Sequence, residues 1–574
     1  MTHRSAHVQR IRIISLIVVL LAVLLIGRLY QIQVIDAAYY EERAEGQYVH
    51  TTTELYDRGS ILFQTRGGNV LSAASVKGGY VLVANPTLMT NDAQTFCTQL
   101  APYLTRTPED CVERVTIPGR SYVELADKLD EQAAQAIRAL ELDGAQLYRQ
   151  QWRFYPGSSM AARTIGFVGY AGDDNDLRGR YGLERFYDDV LFKEREVLTV
   201  NFFAELFSNL GDLVYNRQQP DSGDIVTTLE PSVSRMLDSK LQEVQEQYES
   251  RLTGAIIMDP DTGAIIAMNA LPSFDPNDRR SATIEQFQNP LVENVYEFGS
   301  TIKALTVAAG LDAGVITPQS TYYDSGSIEL NTRTIRNFDG RARGQVTMQE
   351  VLNHSLNTGV AHIVQEMGKE SFRDYFLNFK LGSETGIDLP NEAYGLVENL
   401  RSPREVEYAT ASFGQGIAMT PIATTRALAT LANGGTLVTP HLVDRIVYDN
   451  GETKEIRYPE GDRVLQPETS EEISRMLTLV VDDALRGGDV ALPNHTIGAK
   501  TGTAQISDPE NGGYYEDRYL HSFFGYFPVY DPEFLVFMYT VEPQGVRYAS
   551  ETLTDPFMDI ARFLINYYSI PPDR

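Results

Sequence analysis

Ser300 and Lys303 lie three positions apart at the start of an apolar run, in the segment EFGSTIKALTVAAG at 297–310. The apolar spacing predicts a helix, and side chains three positions apart share one helical face. A serine hydroxyl becomes a nucleophile when a base takes its proton, and a desolvated lysine with a lowered pKa can be that base. The N-terminus of the helix would add N–H groups that stabilise an oxyanion. The spacing indicates acyl transfer through an activated serine, although alone it also fits a helix N-cap beside a solvated lysine.

Two further segments supply polar groups that fit the same chemistry. HSLNTG places a serine and an asparagine at alternate positions, which can point into one cleft if the segment is a turn or loop. GAKTGTAQIS is typical of a short strand, in which a glycine would let a ligand approach the backbone closely. Taken singly, each segment also fits an ordinary turn or strand end. The candidate residues in these two segments are Ser355, Asn357, Lys500, Thr501, Gly502 and Thr503.

Lysine is scarce enough in this chain to make the combination informative. Nine lysines occur in 574 residues, and two of them, Lys303 and Lys500, fall in motif positions. With so few lysines, we expect about half a Ser-x-x-Lys match and under about a tenth of a Lys-Thr-Gly match by chance. The three segments together therefore predict one catalytic cleft.

The surrounding pattern predicts the elements that must position these groups. TGAIIMDPDTGAIIAMNA is two β-runs around a turn, and SFFGYFPVY with EFLVFMYTVEP gives a second strand pair. PSVSRMLDSKLQEVQEQY and DPFMDIARFLINYY predict helices near the two ends of the same region. Helix-flanked hairpins indicate an α+β domain with a mostly antiparallel sheet. The pattern changes at QQPDSGD, which predicts one α+β domain at 36–220 and a second at 221–574.

The N-terminal segment differs in kind from the rest of the chain. Its first 35 residues contain four arginines and no acidic residue around a long apolar run. This pattern predicts a transmembrane helix at 13–35, with Arg28 snorkelling toward the interface. Arginines before the span and acidic residues after it predict a cytoplasmic tail at 1–12, a single pass through the cell membrane, and a catalytic part outside the cytoplasm. A cleavable signal peptide is the alternative, although no small-residue cleavage site follows the apolar run directly.

The composition excludes several functional classes. A hydrophobic content of 43% is typical of a folded globular chain, and a net charge of −28 argues against nucleic-acid binding, which needs clustered Lys and Arg. The two cysteines, Cys97 and Cys111, lack the neighbours of a metal site or a catalytic thiol. They are either disulfide-bonded or free. The eight histidines show no metal-ligand spacing, so we expect no metal cofactor.

The three motifs resemble those of the penicilloyl-serine transferases, which comprise penicillin-binding proteins and serine β-lactamases. YDRGSI, RFYPGSSMAARTIGFVGY and YGLERFYDDVL are similar to the N-terminal motifs of class B penicillin-binding proteins. AIIMDPDTGAIIAMNALPSFDPN, SFGQGIAMTPIATTRALATLANGG and SFFGYFPVYDP resemble the transpeptidase domain of that class. The resemblance implies an α+β transpeptidase domain of the penicillin-binding and serine β-lactamase type at 221–574. It also implies a pedestal of the dimerisation type at 36–220.

Peptidoglycan D,D-transpeptidation is the activity that the resemblance implies. Ser300 would attack the carbonyl between the last two D-alanines of a stem peptide, and Lys303 would accept its proton. Ser355 would relay a proton to the leaving amine, while Lys500 would tune this network electrostatically. An amine from a neighbouring strand would then take the acyl group, and β-lactams would acylate the same serine. The reaction needs no metal or organic cofactor.

The resemblance also implies how the substrate is held. Asn357 would hydrogen-bond the substrate amide and keep Lys303 in place. Thr501 and Thr503 would bind the terminal carboxylate of the stem peptide. The backbone N–H groups of Ser300 and Thr503 would form the oxyanion hole.

The sequence departs from the family pattern at two neighbours of these groups. Phe298 stands where the family usually has proline, and Ala499 stands where it usually has glycine. Neither is a reacting group, so the departures concern rates and β-lactam affinity. In the pedestal, we expect Arg153 and Glu184 to form a structural salt bridge. The pedestal also implies partners, namely a SEDS-type glycosyltransferase and other membrane proteins of division or elongation.

Four alternatives compete with the transpeptidase. One is a β-lactam-sensing receptor, which would need a signalling domain across the membrane, and the predicted twelve-residue cytoplasmic tail leaves no room for it. A bifunctional class A synthase needs a glycosyltransferase domain, and the Glu109-Asp110 pair lacks the expected Phe and His context. A secreted β-lactamase needs a second base and has no use for a membrane span. A catalytically silent, membrane-anchored division scaffold would keep the fold without turnover. The moderate length of the chain favours a septal role over one in elongation.

Overall fold

The computed structural model describes residues 57–171, 176–193, 222–459 and 461–574. The predicted cytoplasmic tail at 1–12 and the predicted membrane span at 13–35 lie outside these residues. Within the four described ranges, no helix combines the length and apolar character that a membrane crossing needs.

The described chain contains both strands and helices, and its central sheet is antiparallel, as expected for the predicted α+β class. The strands are β1 Ile61–Gln64, β2 Val70–Ala84, β3 Val123–Leu129, β4 Ala145–Phe154, β5 Val168–Ala171, β6 Asp176–Gly179, β7 Gly223–Thr227, β8 Leu252–Met258, β9 Ile265–Leu271, β10 Thr321–Asp324, β11 Ser327–Leu330, β12 Arg333–Arg336, β13 Gly344–Thr347, β14 Val443–Tyr448, β15 Thr453–Glu455, β16 Gly498–Ser507, β17 Tyr514–Phe527 and β18 Phe534–Val541. The α-helices are α1 Ala93–Leu100, α2 Pro108–Val115, α3 Glu131–Ala139, α4 Ala162–Ile165, α5 Gly182–Phe186, α6 Asp188–Leu191, α7 Pro231–Gln247, α8 Ile284–Phe287, α9 Lys303–Asp312, α10 Met348–Asn353, α11 Asn357–Met367, α12 Lys369–Asn378, α13 Glu405–Ala411, α14 Pro421–Ala429, α15 Pro467–Leu479, α16 Ala549–Thr552 and α17 Thr554–Tyr568. The two predicted strand pairs are β8 with β9 and β17 with β18, and the two predicted helices are α7 and α17, so all four predictions are confirmed.

The described residues form two compact units. The smaller unit comprises Asp57 and Val76–Trp152, and the larger comprises Arg58–Ser75 and Arg153–Arg574. The N-terminal part of the chain therefore contributes to both units. The predicted domain boundary after residue 220 lies outside the described residues and stays a prediction.

The smaller unit packs three helices on strands β2 and β3. The two strands are antiparallel, with Ala84 opposite Val123. Phe96 of α1 is fully buried in the apolar cluster of this unit. A disulfide joins Cys97 of α1 to Cys111 of α2. The sequence left the choice between a disulfide and free thiols open, and the structure contains the disulfide.

Five strands in the order β16-β17-β18-β8-β9 form the central sheet of the larger unit, and every neighbouring pair is antiparallel. All eight residues of β18 are buried, as expected for a strand that is covered on both faces. Val536 and Met538 join the apolar cluster of α7 and α17 on one face. Phe537 and Tyr539 alternate with them and join the cluster on the other face, which contains Ile302. The predicted antiparallel sheet flanked by helices is confirmed, and its second face carries the turn that leads into α9.

A buried ionic cluster surrounds Glu184 in the larger unit. Arg58 Nε donates to Glu184 Oε2 at 2.7 Å, and Arg153 Nε donates to Glu184 Oε1 at 2.6 Å. Arg58 also pairs with Asp188 at 2.7 Å, and Arg153 Nη1 donates to the carbonyl oxygen of Gly59 at 2.7 Å. Burial alone would raise the pKa of Glu184, but the charges of Arg153 and Arg58 outweigh burial and hold that pKa below its ordinary value. The predicted salt bridge between Arg153 and Glu184 is present, and Arg58 completes it.

We expect Glu184→Gln to lower the free energy of unfolding by about 3–5 kcal/mol, because it removes the carboxylate that two buried arginines share and leaves Arg58 with Asp188 alone. The folded pKa of Glu184 is depressed, so its contribution to stability is present above the unfolded pKa and is lost as pH falls through the folded pKa. Chemical denaturation of the full-length protein at neutral pH measures the loss. Glu243→Gln removes an exposed pair with Lys240 and serves as the control without measurable loss. If Glu184→Gln unfolds with the same free energy as the wild type, the structural role of Glu184 is contradicted.

Candidate active site

Ser300 lies in a 3-10 turn, Gly299–Ile302, that continues directly into α9 at Lys303. Gly299 has a φ of +65°, and a Cβ at that position would lie 2.9 Å from the carbonyl oxygen of Thr503. The turn therefore lies against β16 more closely than a side chain at 299 would allow. Ser300 is half-buried, and it stands at the start of a helix as the sequence predicts.

Phe298 anchors this turn from the core side. Its ring is fully buried and meets the ring of Phe537 edge-on, with the centroids 4.9 Å apart. Its carbonyl oxygen accepts a hydrogen bond from Ser522 Oγ at 2.7 Å. Aromatic packing and a hydrogen bond thus fix the backbone where the family usually has the rigidity of proline. Ala499, the second departure from the family, is buried in β16 beside Lys500.

Lys303 is fully buried beneath the cleft. Its Nζ donates to the backbone oxygen of Ser355 at 2.6 Å and to Ser355 Oγ at 3.2 Å. Burial lowers the pKa of Lys303 well below its ordinary value, and the charge of Lys500 lowers it further. Lys303 is therefore neutral at pH values where an ordinary lysine is charged. Within the described chain these two hydrogen bonds go to Ser355, and none joins Lys303 Nζ to Ser300 Oγ.

Ser355 occupies the turn between α10 and α11, with a φ of +54° in the left-handed region. Leu356 N donates to the carbonyl oxygen of Val351 at 2.9 Å and closes the turn. This conformation is unusual for a residue with a side chain and requires support from its surroundings. It aims the Ser355 hydroxyl between two amines, Lys303 Nζ at 3.2 Å and Lys500 Nζ at 3.1 Å.

Lys500 reaches the same hydroxyl from strand β16. Its Nζ also donates to the backbone oxygen of Thr501 at 3.0 Å. Burial lowers the pKa of Lys500 to about 8. The structure therefore brings Lys303, Ser355 and Lys500 into one continuous hydrogen-bonded chain, although the three residues come from distant segments.

Thr501 and Thr503 are half-buried and point from β16 into the cleft that Ser300 lines. Thr503 Oγ1 accepts a hydrogen bond from Ala549 N at 3.0 Å. That bond fixes the rotamer while the hydroxyl proton remains available for a ligand.

The prediction that Gly502 lets a ligand approach the backbone stays a prediction, and the structure shows a packing role for this glycine. A Cβ at Gly502 would clash with Ser522 Oγ and would lie 2.5 Å from the carbonyl oxygen of Phe298. The residue is buried and does not line the cleft. The missing side chain instead lets the turn that carries Ser300 pack on β16.

Asn357 is the first residue of α11 and lines the cleft, as expected, but it does not hold Lys303. Its Nδ2 donates to the carbonyl oxygen of Arg336 at 2.8 Å. The expected contact is absent because Ser355 already supplies both acceptors of the Lys303 amine in the described chain. Asn357 Oδ1 has no partner among the described residues and remains available to a substrate.

Sequence reasoning missed the buried network that supports this wall of the cleft. Asp324 is fully buried and accepts hydrogen bonds from Asn337 Nδ2 at 2.9 Å and from Thr358 Oγ1 at 2.8 Å. Asn337 directly follows Arg336, and Thr358 directly follows Asn357. Arg336 and Asn357 both line this wall of the cleft. Asp324 thus ties the end of β12 to the start of α11. No local signal could have found it, because its partners lie 13 and 34 residues away.

These groups open on one cleft of about 740 Å3 in the larger unit. Its size suits a peptide segment. The cleft combines a serine at a helix start, a buried lysine whose pKa is lowered by burial and by the charge of Lys500, and a second hydroxyl between two amines. Such an arrangement can form an ester with a substrate acyl group, with the amine taking the hydroxyl proton.

Two family models match the chain. The penicillin binding protein transpeptidase domain matches residues 253–562, and the penicillin-binding protein dimerisation domain matches residues 55–227. The first match spans more than half of the chain.

Similar proteins match over most of the same length. Stage V sporulation protein D of Bacillus subtilis is 30% identical over 459 residues, which cover 79% of this chain and 68% of that protein. A peptidoglycan D,D-transpeptidase FtsI homolog of Mesostigma viride is 28% identical over an alignment that covers 96% of this chain and 94% of that protein. The structure also resembles penicillin binding protein 3 of Mycobacterium tuberculosis in complex with aztreonam, with a TM-score of 0.68 at 23% identity over 91% of this chain and 98% of that one. This last likeness establishes the fold. A transpeptidase domain that follows a dimerisation domain, with Ser300, Lys303 and Lys500 meeting at one cleft, places the chain in the class B penicillin-binding proteins.

Proposed function

We propose that this protein is a peptidoglycan D,D-transpeptidase that cross-links stem peptides through an acyl-enzyme on Ser300. The observation that carries the proposal is the buried Lys303 amine, whose pKa is lowered by burial and by Lys500, one helical turn from a serine that lines a peptide-sized cleft. Relatives named as peptidoglycan D,D-transpeptidases support the choice of substrate.

In the acylation step, the neutral Lys303 amine takes the proton of Ser300 as Oγ attacks the carbonyl carbon between the two terminal D-alanines. The backbone N–H groups of Ser300 and Thr503 stabilise the oxyanion. When the carbon–nitrogen bond breaks, the Ser355 hydroxyl gives a proton to the leaving D-alanine amine. Ser355 recovers a proton from the lysine chain, so Lys303 returns to its neutral form.

In the transfer step, the proton transfers among the same groups occur in the reverse order. An amine from a neighbouring stem peptide loses its proton to Ser355 as it attacks the ester carbonyl. Ser355 passes a proton to the neutral Lys303 amine, and Ser300 leaves with that proton from Lys303. Asn357 would hold the substrate amide, while Thr501 and Thr503 would bind the terminal carboxylate. The proposed reaction breaks one peptide bond and forms another, so it needs no energy-supplying cofactor.

The decisive test uses a fluorescent penicillin and the full-length protein in detergent. A β-lactam keeps its leaving group tethered after ring opening, so the ester on the serine is displaced slowly. We expect a long-lived covalent adduct that peptide mapping places on Ser300. Ser300→Ala should abolish the adduct and leave the melting temperature within about 1 °C, since the hydroxyl makes no hydrogen bond among the described residues.

The alternative outcomes identify the alternative functions. Rapid turnover of the penicillin would indicate a β-lactamase. The absence of an adduct with several β-lactams, in a protein that is folded, would indicate a catalytically silent division scaffold. Either result would refute the proposed transpeptidase.

Lys303→Arg tests the base. A guanidinium keeps its proton, so the variant retains a cation but loses the acceptor. We expect acylation to fall by about a hundredfold or more, the scale of general-base catalysis. In the wild type, the acylation rate should decline as pH falls through the lowered pKa of Lys303, because the protonated amine cannot accept a proton. The rate of adduct formation, measured against pH, checks both expectations, and normal acylation by folded Lys303→Arg would remove Lys303 from the mechanism.

We further propose a cell-membrane location, with one N-terminal span, a cytoplasmic N-terminus and an external catalytic domain. The apolar run between Arg12 and Arg28 supports the span. A septal role with a SEDS-type glycosyltransferase as partner is supported by relatives that carry the FtsI name.

A fluorescent protein that matures only in the cytoplasm, fused before Met1, tests this proposal. We expect a bright fusion that concentrates at midcell and that co-purifies with a SEDS-type protein. A dark fusion would refute the topology, and an even signal along the side wall would refute the septal role. The same reporter fused after Arg574 should stay dark.

A further inference from the structure

The cleft carries a charge opposite to that of the chain. The whole protein has a net charge of −28, yet no Asp or Glu is among the described residues that line the cleft. Its cationic lining residues are Arg336, Arg343, Arg486, Arg547 and Lys500. A cleft lined by one sign of charge concentrates ligands of the other sign. This cleft therefore favours an anionic substrate.

Two of these arginines are already paired. Arg343 bonds Asp339 at 2.9 Å, and Arg486 bonds Asp555 at 2.6 Å. In contrast, Arg336 and Arg547 have no acidic partner within the described chain. Arg547 lies 5.6 Å from the centroid of its neighbour Tyr548. Two guanidinium groups are thus left to a ligand.

The two free arginines stand on different walls of the cleft. The main chain of Arg547 accepts a hydrogen bond from His521 Nε2 at 3.0 Å, and His521 is the partner of Thr503 in the β16–β17 ladder. Arg547 therefore stands at the end of the cleft where Thr503 would bind the terminal carboxylate. Arg336 instead lies on the wall of Asn357, whose Nδ2 donates to the Arg336 carbonyl oxygen.

The backbone of Arg336 is held firmly although its side chain is exposed. It ends strand β12, opposite Ser327 of β11, and is followed by Asn337, which Asp324 anchors. A guanidinium on a fixed backbone loses less freedom on binding and matches a carboxylate with two parallel hydrogen bonds. The side of the cleft that would hold the substrate amide thus carries a guanidinium on a fixed backbone.

We propose that Arg336 binds a second free carboxylate of the stem peptide, one that lies before the scissile bond, so that the enzyme selects donors in which this carboxylate is not amidated. The inference rests on the proposed function and names its substrate class. Two positions of a stem peptide can supply the group: the α-carboxylate of a γ-linked glutamate at the second residue, and the side-chain carboxylate of a diamino acid at the third.

Peptide thioesters that differ in single groups test the proposal on the full-length protein in detergent. One donor carries both carboxylates free, a second has the third-residue carboxylate amidated, and a third has the second-residue carboxylate amidated. The released thiol gives kcat/KM for each. We expect the wild type to prefer the free donor over one of the amidated donors by about tenfold, the scale of a charge-assisted hydrogen bond. The amidated donor that reacts slowly identifies the source of the carboxylate, and the preference should shrink at high salt because the side chain is exposed.

Four variants make the test specific to Arg336. Arg336→Gln should reduce the preference to about onefold, and Arg336→Lys should restore part of it. Arg333→Gln removes an exposed arginine of the same strand that does not line the cleft, and should keep the wild-type preference. Arg547→Gln should slow all three donors alike, because all share the terminal carboxylate.

The outcomes separate this inference from the function on which it rests. A preference that survives in Arg336→Gln, or equal rates with all donors in the wild type, would overturn the role of Arg336 while the penicillin adduct on Ser300 still stands. A protein that forms no adduct and releases no thiol from any donor would overturn the proposed function and this inference with it.

Discussion

Lys303 carries an amine into the interior of the larger unit, and most of the site follows from the need to satisfy that amine. A charged amine loses much of its hydration when it is buried, so the neutral form is favoured unless an acid compensates it. The only partners that Lys303 has within the described chain are the two oxygens of Ser355. They accept hydrogen bonds without neutralising a charge. The same burial that would destabilise an ordinary lysine thus produces a base.

The central sheet packs closely on the turn that carries Ser300 because two residues at this contact are glycines without side chains. Gly299 lies in the 3-10 turn and packs against β16, and Gly502 lies in β16 and packs against the turn. Neither position has room for a Cβ. Phe298 fills the core behind the turn. Close backbone contact on one side and aromatic packing on the other leave Ser300 little freedom, which suits a group that must attack along one direction.

The sequence predicts well whatever depends on local pattern. The β8–β9 hairpin and the helices α7 and α17 follow from periodicity and turn residues, and the scarcity of lysine singles out Lys303 and Lys500. Contacts between distant segments carry no such signal. The partner of Asn357, the packing role of Gly502 and the anchoring by Asp324 each depend on which segments meet, so they could not be predicted. The Cys97–Cys111 bond was left open for the same reason, since its formation depends on how α1 packs on α2.

The left-handed backbone at Ser355 limits what evolution can place there. A threonine would bring the same hydroxyl, but its β-branched side chain is strongly disfavoured at a positive φ. Glycine and asparagine tolerate that backbone, yet neither carries an alcohol. Serine carries the alcohol on an unbranched side chain, so it meets the need for proton transfer at a smaller backbone cost than threonine.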